Sequence, residues 1–121
     1  IQGTKKNSEA VIQECLRYIH NHLEDTELSV NQLADQCHMN AIYLNRIFRK
    51  EKETSIGQYI IQERMHLAAR LLLDSGLTAH TVAEKVGYLN YPYFSTAFKK
   101  FYGCSPQKYV ERQEDSHENK D

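Results

Sequence analysis

The chain has 121 residues, of which 40% are hydrophobic and 26% charged, and its formal net charge at pH 7 is −1. This length fits one domain or two small subdomains, and the composition is that of an ordinary globular protein. No apolar run approaches the ~20 residues that a membrane-spanning helix needs, and the first residues lack the pattern of a secretory signal peptide. We therefore expect a cytoplasmic protein that does not contact a membrane.

The cysteines and the known catalytic motifs exclude further classes. Cys15, Cys37 and Cys104 are odd in number and widely spaced, and the sequence has no Cys-x-x-Cys or His-x-x-x-His pair. Neither a disulfide nor a metal site is expected from such spacing, and no cofactor is predicted. The Gly-x-Ser-x-Gly elbow, the phosphate-binding loop and the zinc-hydrolase helix are also missing from the sequence, so we do not expect an enzyme.

Hydrophobic spacing predicts an all-α chain. The first helix should begin after Ser8 as its N-cap, with apolar side chains recurring every three or four residues. Ser29 is the expected cap of a short second helix over about 30–36. A turn at 38–40 leads to a third helix over about 41–52.

The second half begins with the longest predicted helix. Ser55 opens a Ser-x-x-Gln capping box, and the helix should reach Asp74 before the stop at Ser75-Gly76. Thr78 is the expected cap of the next short helix, over about 79–85.

Glycine and proline mark the remaining boundaries. Gly87 suits a left-handed turn position, and Pro92 fits the first turn of the following helix. Ser105-Pro106 should open a last helix through about Gln113. The polar, acidic tail over 114–121 is expected to be disordered.

Part of the chain is repeated. The segments starting at Ser29 and Thr78 share a hydroxyl start, an apolar-Ala pair, an acid and a turn. The match resumes after one extra residue, which we place at Tyr91, and aligns 42–50 with 92–100. Self-similarity of this kind indicates one supersecondary unit used twice, and each unit has the helix-turn-helix pattern of DNA-binding proteins. The predicted organisation is two helix-turn-helix subdomains, a linker helix and the tail, with about seven helices in all. Their bounds are 8–54, 55–75, 76–113 and 114–121.

The charge is unevenly distributed along the chain. Residues 29–110 carry ten Lys or Arg against six Asp or Glu, a net charge of +4, whereas both flanks are acidic. Because an electrostatic footprint depends on the part that docks, the repeated core is compatible with a nucleic-acid partner.

Side chains on the predicted reading helices suit the DNA major groove, which admits one α-helix. Arg46 can fork onto guanine, Asn45 can pair with adenine, and Ile42 can touch a thymine methyl group. In the second unit the candidate base contacts are Asn90, Tyr91, Ser95 and Thr96. Phosphate contacts are expected from Ser29, Arg49, Lys50, Lys52, Thr78, Lys99 and Lys108.

The length of the predicted linker helix supports joint use of the two units. A helix over 56–74 is roughly 28 Å long at 1.5 Å per residue, and one turn of B-DNA is ~34 Å. Two reading helices held at the ends of such a rod would enter successive major grooves on one DNA face. The small shortfall in length favours some bending of the DNA.

A spaced set of residues carries a family resemblance, strongest in the second half. These residues are Arg64-Met65, Ala68, Leu71-Leu72, Val82-Ala83, Val86-Gly87-Tyr88, Tyr93-Phe94, Phe98-Lys99-Lys100, Gly103, Ser105-Pro106 and Tyr109. With them the sequence resembles, over about 8–112, the DNA-binding domain of the AraC/XylS family of bacterial transcription regulators. The resemblance implies two helix-turn-helix subdomains, monomeric engagement of one DNA face and activation of transcription through RNA polymerase. It also implies a separate sensing, receiver or dimerisation domain, and a start at Ile1 agrees with an N-terminal domain having been removed.

Three positions depart from the family pattern, and one alternative function remains. Val110 stands where the family usually has Arg after Tyr109, with Arg112 nearby. His38 stands where the first turn often has Gly, at an expected cost of about 1 kcal/mol if its backbone is left-handed. Thr96 stands where the second reading helix often has Arg, which weakens base reading there. The alternative is a helical protein-interaction module derived from a DNA-binding domain, which the acidic total charge would suit. DNA binding that weakens steeply with salt would exclude it.

Overall fold

The computed structural model describes residues 7–118, and every regular element in that range is helical. The chain forms two compact units, one up to Ile60 and one from Ile61. The all-α prediction is thus confirmed, and the boundary between the units falls inside the helix predicted as a linker. Within the described range, no helix combines the length and the apolar character needed to cross a membrane.

Seven α-helices and one π-helical turn follow one another along the described residues. The α-helices are Ser8–Asn21 (α1), Val30–Gln36 (α2), Ala41–Lys52 (α3), Ile56–Arg70 (α4), Ala79–Lys85 (α5), Tyr91–Tyr102 (α6) and Pro106–Glu118 (α7). The π turn, Leu71–Ser75, follows α4 directly and ends at Gly76, whose φ of 69° is left-handed. The predicted long helix therefore consists of an α-helix and a wider last turn.

The first unit packs α1, α2 and α3 around one core. Ile19, Leu33, Leu44 and Phe48 are fully buried there, as helical spacing predicted. Ser29 caps α2, because its Oγ accepts a hydrogen bond from the Gln32 amide at 3.1 Å.

The predicted cap of α1 was wrong by one residue. Asn7 Oδ1 accepts a hydrogen bond from the Ala10 amide at 2.7 Å, and Ser8 is already the first helical residue. Asn and Ser are equally good N-caps, so two of them in succession leave the sequence pattern ambiguous.

The second unit has its own core, built from α4, α5 and α6. Its buried members are Met65, Ala68, Leu72, Val82, Ala83, Val86, Phe94 and Phe98. Tyr102, which lies against this core, donates its hydroxyl hydrogen to the Met65 carbonyl at 3.1 Å.

The last helix is longer than the sequence indicated. We expected it to end near residue 113 and the chain to be disordered from 114, but α7 continues to Glu118. The prediction of a disordered tail was therefore wrong for 114–118, while 119–121 lie outside the described residues.

The two helix-turn-helix turns have the same backbone conformation with different residues. His38 has a φ of 55° and Gly87 a φ of 87°, so both positions are left-handed. Each turn is closed by an equivalent bond, from the Met39 amide to the Ala34 carbonyl at 2.9 Å in the first unit. The residues that end α3 and α6 also share a left-handed backbone but differ in type: Glu53 has a φ of 61° and Gly103 a φ of 81°. The first unit therefore places ordinary residues at two positions where the second has glycine.

The extra residue of the second repeat lies earlier than the sequence comparison placed it. Met39 is followed directly by Asn40, the N-cap of α3, whereas Leu89 stands between Tyr88 and the N-cap Asn90. The insertion is therefore Leu89 and not Tyr91. Aligning Asn40 with Asn90, two strong N-cap residues of the same type, would have located the insertion from the sequence.

We predict that His38→Gly stabilises the first unit by about 0.5–1 kcal/mol. A left-handed L-residue costs about 1–2 kcal/mol, and the greater freedom of glycine in the unfolded chain offsets part of that gain. Urea unfolding measures the difference, with Gly87→Ala as the opposite exchange at the equivalent position. A His38→Gly variant less stable than the wild type would mean that the His38 side chain stabilises the turn.

Candidate nucleic-acid interface

The helices α3 and α6 present matching surfaces. Over ten positions, 41–50 and 91–100, buried, half-buried and exposed residues follow in the same order. Leu44 and Phe48 are fully buried on α3, just as their counterparts fifty residues later are on α6. The spacing of these apolar residues fixes the inner face of each helix, so the residues on the opposite side of the helix must face outward.

Asparagine side chains cap both helices. Asn40 Oδ1 accepts hydrogen bonds from the Ile42 and Tyr43 amides at 2.9 and 3.1 Å. Asn90 Oδ1 accepts one from the Tyr93 amide at 3.0 Å. Asn90 was predicted to contact a base, and with its oxygen in the cap such a contact would use its NH₂ group as donor.

The outer face of α3 combines apolar and basic groups. Ile42 is 82% exposed, and Arg46 and Arg49 are exposed on the same helix. The Arg46 guanidinium lies over the Tyr43 ring, 5.2 Å from its centroid, a cation–π arrangement that restricts its rotamers. A guanidinium held in this way keeps the planar fork that fits the O6 and N7 acceptors of guanine.

Asn45 is placed differently from the other predicted base contacts of α3. Its side chain is half-buried, and Oδ1 accepts a hydrogen bond from the Ile56 amide at 2.9 Å. The amide oxygen is therefore directed towards the start of α4.

The outer face of α6 has no guanidinium. Thr96 is exposed, whereas Tyr91 and Ser95 are half-buried. The Tyr91 ring stacks on His80 of α5 with ring centroids 4.1 Å apart, so one face of the phenol is covered.

Two exposed residues of the second unit were missing from the predicted contacts. Leu89 is 82% exposed and Tyr93 is 70% exposed. Tyr93 lies one turn before Thr96, so helical spacing alone could have identified it. Leu89 was missed because the insertion was assigned to another residue.

The predicted phosphate contacts are all exposed. Ser29 and Thr78 are the N-caps of α2 and α5, with hydroxyl oxygens that accept amide hydrogen bonds at 3.1 and 3.2 Å. Basic residues cluster in the last turns of α3 and α6. Their positive charges also interact favourably with the negative, C-terminal end of the helix dipole. This clustered set is Arg49, Lys50, Lys52, Lys99 and Lys100.

The turn of the second unit contacts α4 through Arg64 and Tyr88. Arg64, only 9% exposed, lies over the Tyr88 ring at 5.7 Å from its centroid. Burial raises the pKa of the Tyr88 hydroxyl above its ordinary value, and the Arg64 charge opposes part of that rise. The Tyr88 ring packs edge-on against Phe94, with ring centroids 5.7 Å apart.

Sequence comparison identifies the class. Residues 16–112 match a helix-turn-helix domain family, which covers most of the chain and both units. Together with the paired caps and turns, this match places the protein among helix-turn-helix DNA-binding regulators. The chain belongs to the AraC/XylS family within that class, a family of transcription regulators and not of enzymes. The family resemblance inferred from the sequence is thereby confirmed.

Individual relatives agree with this assignment. The Msm operon regulatory protein of Streptococcus mutans is 31% identical over 109 residues, which are 90% of this chain and 39% of that protein. The C-terminal domain of AraT, a response regulator from Geobacillus stearothermophilus, is 35% identical with a TM-score of 0.83 and 84% coverage of both chains. The DNA-binding domain of AdpA, solved with a target DNA, is 26% identical with a TM-score of 0.78, covering 84% of this chain and 90% of that one. The chain spans well under half the length of several curated relatives.

Proposed function

We propose that the protein binds double-stranded DNA sequence-specifically, with α3 and α6 entering successive major grooves on one DNA face. The observation that carries this proposal is the shared burial order of 41–50 and 91–100. Two helices with the same cap, the same inner face and the same order of exposed positions are suited to the same task. The complex of the AdpA domain with its target DNA supports DNA as the partner.

Base discrimination is assigned mainly to the first unit. We propose that Arg46 contacts guanine and that Ile42, with 82% of its surface exposed, contacts a thymine methyl group. From the second unit we propose Asn90, Tyr91, Ser95 and Thr96, as the sequence suggested, with Leu89 and Tyr93 added. Tyr91 and Ser95 have less surface to offer because both are half-buried.

Phosphate contacts hold the protein in register without reading sequence. The proposed set is Ser29, Arg49, Lys50, Lys52, Thr78, Lys99 and Lys108. All of these side chains are exposed, so none has to leave a buried position in order to reach the DNA backbone.

We predict that Lys99→Ala weakens binding equally to all sequences. The plot of log K against log [salt], which falls with salt, should become less steep by about one unit of slope. The reason is that one phosphate contact releases about one counterion. Binding measured at four or five salt concentrations gives the slope, with exposed Arg17→Ala on α1 as the control that should leave it unchanged. An unchanged slope for Lys99→Ala would remove that residue from the interface.

The proposal for the regulatory role rests on membership of the family and on what individual relatives are. We propose a cytoplasmic bacterial transcription regulator, an activator that contacts RNA polymerase. We also propose an N-terminal sensing, receiver or dimerisation domain as its partner. The support is that the AraT domain is the C-terminal part of a response regulator and that the chain spans 39% of the Msm regulator.

Selection of random duplexes by this protein tests the DNA-binding proposal. We expect an enriched site with two preferred blocks about 10 base pairs apart, bound with a steep salt dependence. One block alone would mean that the second unit only contacts the backbone, which would overturn two-groove reading. No enrichment and no salt dependence would overturn DNA binding altogether.

The alternative function is a helical protein-interaction module. Its specific support is the net charge of −1 together with the exposed apolar residues Ile42, Leu89 and Tyr93. The basic core, with a net charge of +4 over residues 29–110, favours DNA.

A further inference from the structure

The amide of Ile56 is bonded by a side chain from another helix. Ile56 is the first residue of α4 and is fully buried. The first N–H groups of a helix have no partner within it, and a buried N–H left without one costs free energy. Asn45, eleven residues earlier on α3, supplies the acceptor at 2.9 Å.

Two further amides at the start of α4 are bonded locally by Ser55. Ser55 Oγ accepts from the Gln58 amide at 3.1 Å, and the Ser55 carbonyl accepts from the Tyr59 amide at 2.9 Å. The bond to Asn45 is therefore the part of this cap that comes from α3. It joins the reading helix to the start of α4.

The second unit has the same cap without that bond. Ser105 Oγ accepts from the Lys108 amide at 3.1 Å, and the Ser105 carbonyl accepts from the Tyr109 amide at 2.9 Å. Pro106 stands at the position of Ile56 and is equally buried, but proline has no N–H group. Ser95 stands at the position of Asn45. The two units thus differ at both residues of this bond. The second unit has proline in place of the N–H donor and serine in place of the asparagine acceptor.

We infer that Asn45 is a positioning residue that locks α3 onto α4, and that it does not make the bidentate contact with adenine. Bidentate recognition of adenine needs the amide oxygen to accept from N6 and the NH₂ group to donate to N7. The Asn45 oxygen is bonded to the Ile56 amide and held towards the start of α4, so the side chain cannot turn both of its polar groups to adenine without breaking that bond. The groove-facing contacts of α3 are therefore left to Arg46 and Ile42. The part of this inference that concerns bases rests on the proposed DNA-binding function, whereas the part that concerns the cap does not.

Amide exchange tests the cap without DNA. In Asn45→Ala, we expect the exchange rate of the Ile56 amide, followed by NMR, to rise about tenfold, and the unfolding equilibrium constant to shift by a similar factor. Thr96→Ala, which changes an exposed residue of α6, is the control and should leave that rate unchanged. An unchanged Ile56 rate in Asn45→Ala would overturn the inference.

A double-mutant cycle with Ile56→Pro isolates the bond. Once the N–H group is removed, as in the second unit, Asn45→Ala should cause no further loss of stability. A loss as large as in the wild-type background would contradict the cap. If Ile56→Pro does not fold, the exchange rate of the Ile56 amide decides the question alone.

Duplex selection with Asn45→Ala tests the role on DNA. We expect the preferred site to stay the same and the affinity to fall about equally for all sequences. Loss of preference at one A·T pair, with the Ile56 amide still protected, would overturn the inference. If the wild-type protein enriches no site, the DNA-binding proposal fails, while the exchange experiment still decides whether Asn45 is the cap.

Discussion

Replacing Arg46 with alanine is expected to abolish the preference for one G·C pair in the binding site. A bidentate arginine contact discriminates by about 1–3 kcal/mol, so binding to the preferred site should fall roughly 5- to 150-fold. Binding to a site with that pair changed should fall much less, because the contact is already missing there. Titration of both duplexes with wild-type and variant protein gives the four affinities that this comparison needs.

The exposed arginines provide controls for this prediction. Arg49→Ala, on the same helix, should weaken binding to both duplexes alike, because its proposed contact is with phosphate. Arg17→Ala on α1 should leave both affinities unchanged. If Arg46→Ala lowers both affinities by the same factor, Arg46 contacts the backbone and the assignment of base reading to α3 is wrong. Tyr43→Leu removes the aromatic face under the guanidinium and should reproduce part of the Arg46→Ala effect.

Phe98→Ala is expected to destabilise the second unit by about 3–5 kcal/mol, which is the usual cost of deleting a fully buried phenyl ring. Phe98 is completely buried, and its ring centroid lies 5.7, 4.7 and 5.4 Å from those of Phe94, Tyr102 and Tyr109. Its removal leaves a cavity where α6, α7 and the core of this unit meet. Urea unfolding followed by circular dichroism measures the loss.

Phe101→Ala is the matched control on the same helix. Its ring is 40% exposed and contacts His66 and Tyr102 at the edge of the unit, so we expect a loss of about 1 kcal/mol. Equal losses for the two variants would mean that Phe98 does not occupy the centre of the core. The pair therefore tests the burial order that also defines the outer face of α6.

Local chemistry made most of the helices predictable. Ser29 and Thr78 are strong N-caps, and the apolar spacing after each of them identifies the inner face of the following helix. The bounds of α2, α3 and α5 follow from these signals and match the structure. Arg46 could likewise be placed on an outer face, because Leu44 and Phe48 on either side of it face inward.

Features that depend on tertiary contacts escaped the sequence. The bond from Asn45 to Ile56 joins residues eleven apart on different helices, and nothing in the local pattern of α3 indicates it. The position of Leu89 was missed because an insertion within a turn leaves the helical spacing on both sides unchanged, although the matching N-caps would have located it. The stacking of Tyr91 on His80 likewise depends on how α5 and α6 pack, so the sequence overestimated how much of Tyr91 is accessible.

The left-handed residues give the two units different local opening equilibria. His38 and Glu53 each adopt a conformation that costs an L-residue about 1–2 kcal/mol, whereas Gly87 and Gly103 adopt it without that cost. Because the freedom of glycine in the open chain offsets part of this cost, the net difference is about 0.5–1 kcal/mol, which multiplies the open fraction of a cooperative unit by about two- to fivefold for each residue. Relative to the same fold with glycine at both positions, the first unit is open roughly 5 to 30 times more often. Because a ligand that binds only the closed state suppresses opening, a bound operator would have its largest protective effect on the unit proposed to read its sequence.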